Sequence, residues 1–411
     1  MQIGKRNKTM TGSILALAAT GRQDSELIGN PAIRFFKSVY RQYSHFSTEN
    51  VPLQFDQGLA FGKKSTLEIP KKGDLLSSIV LEIKLPALES GISWVNGIGH
   101  ALIKEISVEI GGVPIDKHTG EYLDLISELE LDEGKKSGYH DMIGKHDFYT
   151  RFTQEGALTL YIPLQFWFCK ETSQAIPLVA MQYSEVKINV TLRAFNQAWF
   201  SGTAMTNTPS NLEVTSGQLH CDYFFLDKEE RRRFATHRHR YLIEQTQICT
   251  KNGVNQGSSS DNIDIFLNHP VKDIFWVYQA DSVSDTNDWL NYSKTVYDED
   301  DPEDPVEPLS QCGFQINGHD LFEKKSASYF RKVIPFQRYN RTPDTFVYAY
   351  SFSQQPTKFQ PCGHLNFSML NSAVMTLDFA DAIPKGVINI YARNYNILRI
   401  RNGQAGLIYS A

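Results

Sequence analysis

The last 24 residues, INIYARNYNILRIRNGQAGLIYSA (388–411), give the strongest indication of the fold. Apolar residues share one parity from Ile388 to Ala392 and again from Leu398 to Ile400. Alternation with a period of two is typical of a β-strand that buries one face. The pair Asn402-Gly403 then supplies a hairpin turn. We therefore predict that the chain ends in a closing strand, with the last residues paired back on it.

The same alternation recurs along most of the chain, and the helical period is rare. The content of 25 Phe and 19 Tyr also favours strands. Gly-Gly and Asn-Gly pairs separate many of the alternating runs. Many short strands divided by turns are typical of β-sandwiches. The predicted strands cover 78–85, 103–110, 157–168, 184–193, 218–226, 241–248, 262–268, 346–353 and 374–380.

A dense charge run, DKEERRRFATHRHR (227–240), interrupts the strand pattern. We predict a solvated connector here, with a helix start at Asp227, because charged runs seldom enter a core. The segments on either side are similar, since 107–123 and 312–330 share a strand, a glycine turn and a polar stretch ending in Tyr. A repeat at half the length of the chain indicates two copies of one sandwich module.

Composition excludes several classes of protein. A net charge of −5 gives no broad basic surface, so no specific nucleic acid is expected as a partner. The five cysteines form no CxxC pair, which favours a reducing compartment. No apolar run is long enough to span a membrane. Near the amino terminus, Thr11, Gly12 and Ser13 interrupt the apolar region, which argues against a secretory signal.

One pattern resembles the metal site of cupin enzymes. His237, His239 and Glu244 have the spacing of three ligands on a β-sandwich, and PCGHLN (361–366) is the segment that would supply a further histidine. Asn366 stands where that histidine belongs, and the interleaved arginines would repel a dication. The sequence therefore predicts no metal, no cofactor and no enzyme active site.

Asparagines in Asn-X-Ser/Thr sequons are candidates for glycosylation in the secretory route. Three are retained as candidate sites: Asn291, Asn340 and Asn366. Asn291 lies beside the acidic run YDEDDPEDPVEP (297–308) and is expected to be the most exposed of them.

Several stretches, taken in order, resemble the major capsid proteins of large icosahedral nucleocytoplasmic DNA viruses, the phycodnavirus type in particular. The resemblance runs from about residue 15 to the last residue and weakens in 196–216 and 281–310. It rests on GNPAIRFFKSVYRQYSHFS (29–47), FGKKSTLEIPKKGDLLSSIVLEIKLP (61–86), VEIGGVPIDKH (108–118), IPLVAMQYSEVKINVTL (176–192), YFFLDKEERRRFATHRHRYLIEQTQ (223–247) and the terminal stretch.

The resemblance implies an all-β chain of two consecutive eight-stranded antiparallel jelly rolls, a double jelly roll. It implies a homotrimeric capsomer of pseudo-hexagonal outline that tiles the outer capsid shell, with assembly in the host cytoplasm. Neighbouring capsomers, minor capsid proteins and the internal membrane are the expected partners, the last two through an amino-terminal arm. The expected divisions are an arm (1–25), a first jelly roll (26–226), the connector (227–240) and a second jelly roll (241–411).

Two alternatives stay open at this point. The chain could be a minor or penton-like capsid paralogue of such a virus. A different class of protein, a cupin-like metal enzyme or a carbohydrate-binding sandwich, is the third hypothesis.

Overall fold

The structure is a computed structural model that describes residues 12–89, 92–146, 156–200, 212–295, 305–381 and 383–409. It divides into two compact units, of which the first ends at His45 and the second begins at Phe46. The basic residues of the first 11 positions and most of the acidic run, 296–304, lie outside the described residues.

The described part of the first unit, residues 12–45, has no core of its own. It contains helices α1 (Gly12–Ala18) and α2 (Ser25–Ile28), followed by extended chain. No residue between 12 and 45 is buried. Its exposed large apolar side chains are Ile14, Leu15, Leu17, Leu27, Ile28, Ile33, Phe35, Phe36, Val39, Tyr40 and Tyr43.

The first half of the second unit is an eight-stranded jelly roll. Its main strands pair antiparallel in two four-stranded sheets, β1-β11-β3-β7 and β2-β9-β5-β6, with short additional strands at the margins. The strands are β1 (Phe46–Gln54), β2 (Lys64–Glu68), β3 (Leu75–Leu85), β4 (Ser93–Trp94), β5 (Ile103–Ile110), β6 (Val113–His118), β7 (Leu158–Pro163), β8 (Ile176–Pro177), β9 (Val186–Leu192), β10 (Trp199–Phe200) and β11 (Ser216–Leu226).

The second half repeats this arrangement strand for strand. Its sheets have the orders β12-β20-β14-β17 and β13-β19-β15-β16. In both halves the first, eighth, third and sixth main strands form one sheet and the second, seventh, fourth and fifth form the other. The strands are β12 (His239–Val254), β13 (Ser260–Asp264), β14 (Pro270–Ala280), β15 (Leu309–Ile316), β16 (His319–Ser326), β17 (Tyr348–Ser351), β18 (Leu365–Asn366), β19 (Ala373–Phe379), β20 (Gly386–Arg401) and β21 (Gln404–Leu407).

Helices occupy the connections between strands. They are α3 (Ile98–Ala101), α4 (Gly120–Glu130), α5 (Lys136–Ile143), α6 (Trp167–Lys170), α7 (Lys228–Thr236), α8 (Val283–Thr286) and α9 (Ile334–Arg338). Short 3-10 turns cover 133–135, 172–174, 178–180, 195–197 and 367–369, and a π-turn covers 329–333. Within the described ranges, no helix has both the length and the apolar character needed to cross a bilayer.

The double jelly roll predicted from the sequence is confirmed, and so is the repeat. The similar segments 107–123 and 312–330 both contain the hairpin of the fourth and fifth main strands. The predicted strand 157–168 is too long, because β7 ends at Pro163 and Trp167 begins a helical turn. Consecutive buried aromatics raised the apolar content there without a strand being present.

The terminal stretch forms β20, the hairpin turn and β21, as predicted. Asn402 and Gly403 both have positive φ, at 53° and 77°, which a type I′ turn requires. Leu407 pairs with Leu398 and Gln404 with Arg401. Strand β20 lies between β12 and β14, so the end of the chain is central to its sheet.

Candidate functional site

The junction between the two jelly rolls is the candidate functional site, because it fixes how the two halves of the chain are held together. We define it as β6, α4 and α6 of the first jelly roll together with β12, β14 and β20 of the second. Both faces of β20 are buried between Ile390 and Asn396, which is unusual for an antiparallel sheet that covers one core.

Helix α4 is positioned by its amino-terminal residues. Thr119 is the N-cap, and its side-chain oxygen accepts a hydrogen bond from the Tyr122 backbone N–H at 3.3 Å. The next residue must be glycine, because a Cβ atom at position 120 would lie 2.0 Å from the carbonyl oxygen of His100 and 2.6 Å from that of Ile103. The cap and the glycine therefore let the helix start directly against β5.

The carboxylate of Glu128 joins the two jelly rolls. It accepts hydrogen bonds from Lys145 Nζ at 2.8 Å, from Arg341 at 2.8 Å and from the Asp344 backbone N–H at 3.1 Å. Lys145 also donates to Asp124 at 2.7 Å. Arg341 and Asp344 belong to the second jelly roll, so this buried carboxylate connects elements more than 200 residues apart.

A second buried cluster surrounds Arg393 on β20. The side chain of Arg393 is 1% exposed. Its Nε donates to Asp273 Oδ1 at 2.9 Å, and a second guanidinium nitrogen donates to the other oxygen of the same carboxylate. It also donates to Glu130 at the end of α4. Tyr339 donates to Asp273 at 3.1 Å. The guanidinium is thus paired on both sides, as a buried charge must be.

Lysines extend the charged network along the same face. Lys170 from α6 lies 3.2 Å from Glu130 and 3.7 Å from Glu244. Lys272 on β14 is buried and also donates to Glu244. Positive and negative groups therefore alternate from the first jelly roll across to the second.

Aromatic and backbone contacts complete the junction. The ring centroids of Tyr122 and Tyr391 are 5.9 Å apart, and the ring of His118 lies 4.7 Å from that of Tyr122. The Thr246 backbone N–H donates to Asp116 Oδ1 at 2.8 Å, so a side chain of β6 satisfies the backbone of β12. This combination of packing and directed hydrogen bonds favours a single relative orientation of the two jelly rolls.

The pKa values of the junction groups reflect their pairing. Burial alone would raise the pKa of Glu130, but Arg393 and Lys170 lower it to about 2. Burial likewise opposes ionisation of Asp124, and Lys145 and His100 lower its pKa to about 2. Burial lowers the pKa of His100, and the nearby Asp124 only partly offsets that effect. The carboxylates are therefore charged and His100 is neutral near pH 7.

A cavity of about 440 Å³ opens beside the Glu128 cluster. Its lining comes from both jelly rolls and includes Asn96, His140, His146, Tyr292, Arg331 and Phe346. Its charged groups include three carboxylates and three cations besides the histidines, so they give it no single sign.

The cupin-like residues do not come together as a metal site. His239 Nε2 lies 2.7 Å from the Phe234 carbonyl oxygen, and His237 Nδ1 lies 2.9 Å from that of Arg233. The carboxylate of Glu244 is held by the junction lysines. In the described ranges, no group of three or more His, Cys, Asp or Glu residues is arranged to hold a metal ion.

The three sequon asparagines differ in accessibility. Asn291 is 5% exposed, and its amide donates to the Thr295 carbonyl at 3.1 Å, so the expectation that it is the most exposed was wrong. The turn around it is tied down by Ser293, which donates to the Asn291 side chain. Asn340 is exposed, and its amide donates to the Glu130 carbonyl at 2.7 Å. Asn366 is half-buried and caps a 3-10 turn through its side-chain oxygen.

Sequence reasoning missed the junction network. Two of its carboxylates, Glu128 and Glu130, belong to SELELDE (127–133), where acidic residues alternate with leucines and give no sign that the carboxylates are buried. The one available signal was the interruption of the β20 alternation at 393–396, where polar residues stand in an otherwise apolar strand. A polar interruption in a central strand indicates either a mismatch or a buried partner.

Comparison with known proteins gives two consecutive matches along the chain. Residues 34–227 match the family described as "Major capsid protein N-terminus". Residues 230–406 match the family described as "Large eukaryotic DNA virus major capsid protein".

Individual relatives cover almost all of the chain. The major capsid protein of Pyramimonas orientalis virus is 35% identical, over 98% of this chain and 100% of its own length. That of Paramecium bursaria Chlorella virus 1 is 31% identical over the same shares of each chain. A chain in the quasi-atomic structure of the PBCV-1 virus capsid matches with a TM-score of 0.80 and 28% identity, over 92% of this chain and 100% of that one.

Proposed function

Since this chain belongs to the family of major capsid proteins of large eukaryotic DNA viruses, we propose that it acts as a homotrimeric capsomer of pseudo-hexagonal outline. Its role is structural, as it is for the family, and a virion capsid is its place of action. The observation that carries the proposal is the identical strand order of the two jelly rolls within one chain.

The proposed outline is related to the strand order by geometry. Two similar modules in one chain, repeated about a threefold axis, give six similar corners, and six corners tile a flat shell. The modules must then keep a fixed relative orientation, because a hinge between them would blur the outline. The buried clusters around Glu128 and Arg393 supply that rigidity.

We infer the direction of the capsomer in the shell from the ends by which the chain leaves the sheets. Phe46 pairs with Leu226 and His239 pairs with Ile400, so the start of β1, the connector helix α7 and the end of β20 leave by the same ends of the two paired sheets. We propose that these ends face inward. The long connections 196–216 and 281–310, of which 201–211 and 296–304 lie outside the described residues, leave the opposite ends and would then face outward.

The exposed apolar side chains of residues 12–45 support a contact with other components of the virion. We propose that the arm of residues 1–25 contacts minor capsid proteins or the internal membrane, with domain limits of 26–226, 227–240 and 241–411. We also propose assembly in the host cytoplasm. Of the sequon asparagines, Asn340 and Asn366 are kept as candidate glycosylation sites, because the amide of Asn291 is buried.

Native mass spectrometry combined with negative-stain imaging tests the trimer. We expect a particle of three times the 46.7 kDa of one chain, with a hexagonal projection. A stable monomer without that outline would refute the capsomer proposal. Abundance in purified virions separates a major subunit, which should dominate, from a minor or penton-like paralogue.

A further inference from the structure

Four arginines lie together at the end of the β12–β20 ladder. Arg240 and Arg399 are directly opposite each other in the antiparallel register. Arg238 immediately precedes the pair His239–Ile400, and Arg401 immediately follows it. All four are exposed, and we name them the arginine cluster.

The register brings like charges close together. Opposite residues in an antiparallel ladder have Cα atoms roughly 5 Å apart and side chains on the same face. Like charges placed directly opposite destabilise the pair. Among the described residues, none of the four arginines takes part in an ion pair, whereas the nearby Arg231 pairs with Asp74 at 2.8 Å.

The neighbouring groups do not neutralise the cluster. The residues of β21 opposite Arg399 and Arg401 are Gly406 and Gln404. The next carboxylate along β12 is Glu244, which already binds Lys170 and Lys272.

The connector helix α7 adds charge beside Arg238. A groove between this helix and the start of β12 is lined by Arg233, His237 and Arg238 together with Glu230. Counting His239, which also lines the groove, four cationic or titratable groups lie there with one carboxylate.

We propose that the arginine cluster binds a ligand carrying several phosphomonoester groups. The guanidinium fork donates two parallel hydrogen bonds to a phosphate and keeps its charge at every physiological pH, which makes several adjacent arginines a suitable surface for multivalent phosphate. A bound polyanion also removes the repulsion between Arg240 and Arg399. The chain as a whole has a net charge of −5, whereas the arginine cluster is locally positive.

The inference rests on the proposed function in one respect, the inward direction of this end of the sheets. The long connection after β14, which contains the acidic run, leaves the opposite end of the same sheet, because Ala280 pairs with Gly386 at the start of β20. A strand of 16 residues separates the two ends by roughly 50 Å. The ligand would therefore lie under the shell, as a soluble polyphosphate or as a phosphorylated lipid headgroup.

The test uses the full-length assembled protein and two probes. Inositol hexakisphosphate, titrated by calorimetry, represents the soluble source. Phosphatidylcholine vesicles with and without phosphatidylinositol bisphosphate, used in flotation, represent the lipid source. Binding of the soluble probe alone assigns the site to a free polyphosphate, and binding that requires the phosphorylated lipid in vesicles assigns it to a headgroup.

The decisive variant is R240Q/R399Q. We expect it to weaken binding of either probe by about tenfold or more, since each arginine near a phosphate surface contributes roughly 1 kcal/mol. The matched control is K104Q/K332Q, which removes two exposed cations that form no ion pair with any described residue, and it should bind within about twofold of the unsubstituted protein. R240K/R399K keeps the charge without the fork and should bind with intermediate affinity.

Without ligand, R240Q/R399Q should melt at the same temperature as the unsubstituted protein or slightly higher, because repulsion is removed. Equal binding by this variant, or no binding of either probe by the unsubstituted protein, would overturn the proposal. Equally tight binding of double-stranded DNA would also overturn it, in favour of a general polyanion surface. Native mass of each variant is measured in parallel, so that a failure of trimer formation is recognised separately from a failure of binding.

Discussion

The eighth strands of the two jelly rolls, β11 and β20, occupy the same place in the same sheet order. They differ in the burial of the outer face, which is the face turned away from the core of their own jelly roll. On β11, buried Leu219, Cys221 and Tyr223 alternate with half-buried polar or aromatic residues. On β20, residues 390–396 are buried on both faces, and Tyr122 and Glu130 of α4 contact Tyr391 and Arg393 on the outer one. A repeated fold therefore does not repeat its environment, and the difference marks where the two modules join.

The polar groups on the two outer faces also differ in burial. On β11, His220 lies 2.6 Å from Glu82 and has a side-chain exposure of 24%. On β20, Arg393 has a side-chain exposure of 1% and contacts two carboxylates. A pair near the surface contributes little to stability, whereas removing one partner of a buried pair leaves an uncompensated charge.

The largest effect is expected from R393M. The substitution leaves Asp273 buried without its cation and leaves Glu130 with Lys170 alone, and we expect the free energy of unfolding to fall by about 4 kcal/mol. Denaturant titration measures it. The control on β11 is H220Q, which should change stability by about 1 kcal/mol or less. Equal effects of the two substitutions would show that the outer faces are energetically alike.

The second-largest effect concerns the placement of α4, the helix that contacts the outer face of β20. In G120A, the new Cβ would clash with the carbonyl oxygens of His100 and Ile103, and we expect a loss of about 3 kcal/mol. G134A is the matched control, because no atom lies within 4 Å of a Cβ at that position. Thermal unfolding of both variants checks this, and a neutral G120A would mean that α4 can shift without loss.

Deletion of residues 407–411 tests the pairing of β21 with β20, which β11 does not have. It removes the hydrogen bonds from the Ile408 N–H to the Ile397 carbonyl and from the Asn396 amide to the Tyr409 carbonyl. We expect a loss of about 2 kcal/mol and weaker trimer formation, since an edge of the sheet is uncovered. Size-exclusion chromatography with light scattering measures assembly. Fully assembled truncated protein would contradict the role of β21.

The smallest effect within any one pH unit is a change in the pH dependence of stability. Hydrogen bonds from His220 and Gln218 lower the pKa of Glu82 to about 2, and Arg393 and Lys170 lower that of Glu130, despite its burial, to about 2. Both carboxyls have a folded pKa below the unfolded value of 4.5, so their contribution is present above pH 4.5 and is lost as the pH falls towards 2.

E82Q and E130Q should each reduce the slope of stability against pH in that window by up to about 1.4 kcal/mol per pH unit. Urea titrations at a series of pH values give the slopes. At pH 7, E130Q should destabilise more than E82Q, because its partner Arg393 is fully buried. An unchanged slope in either variant would show that its carboxyl is not depressed in the folded protein.

The sequence alone determined the fold class, the repeat and the closing strand. Alternation and turn residues act between neighbours in the chain, so SVEIGGVPIDKH (107–118) and the terminal stretch predict their hairpins without knowledge of the rest. The family resemblance, carried by long runs of residues in order, added the double jelly roll.

The roles of the polar residues depend instead on tertiary contacts. Glu128 and Arg341 are 213 residues apart, and Arg393 and Glu130 are 263 apart, so no local pattern pairs them. The same holds for Asn291, whose local sequence predicts an exposed loop although its side chain is buried. Local sequence determines which strand forms, whereas burial and charge pairing depend on which distant surface covers it.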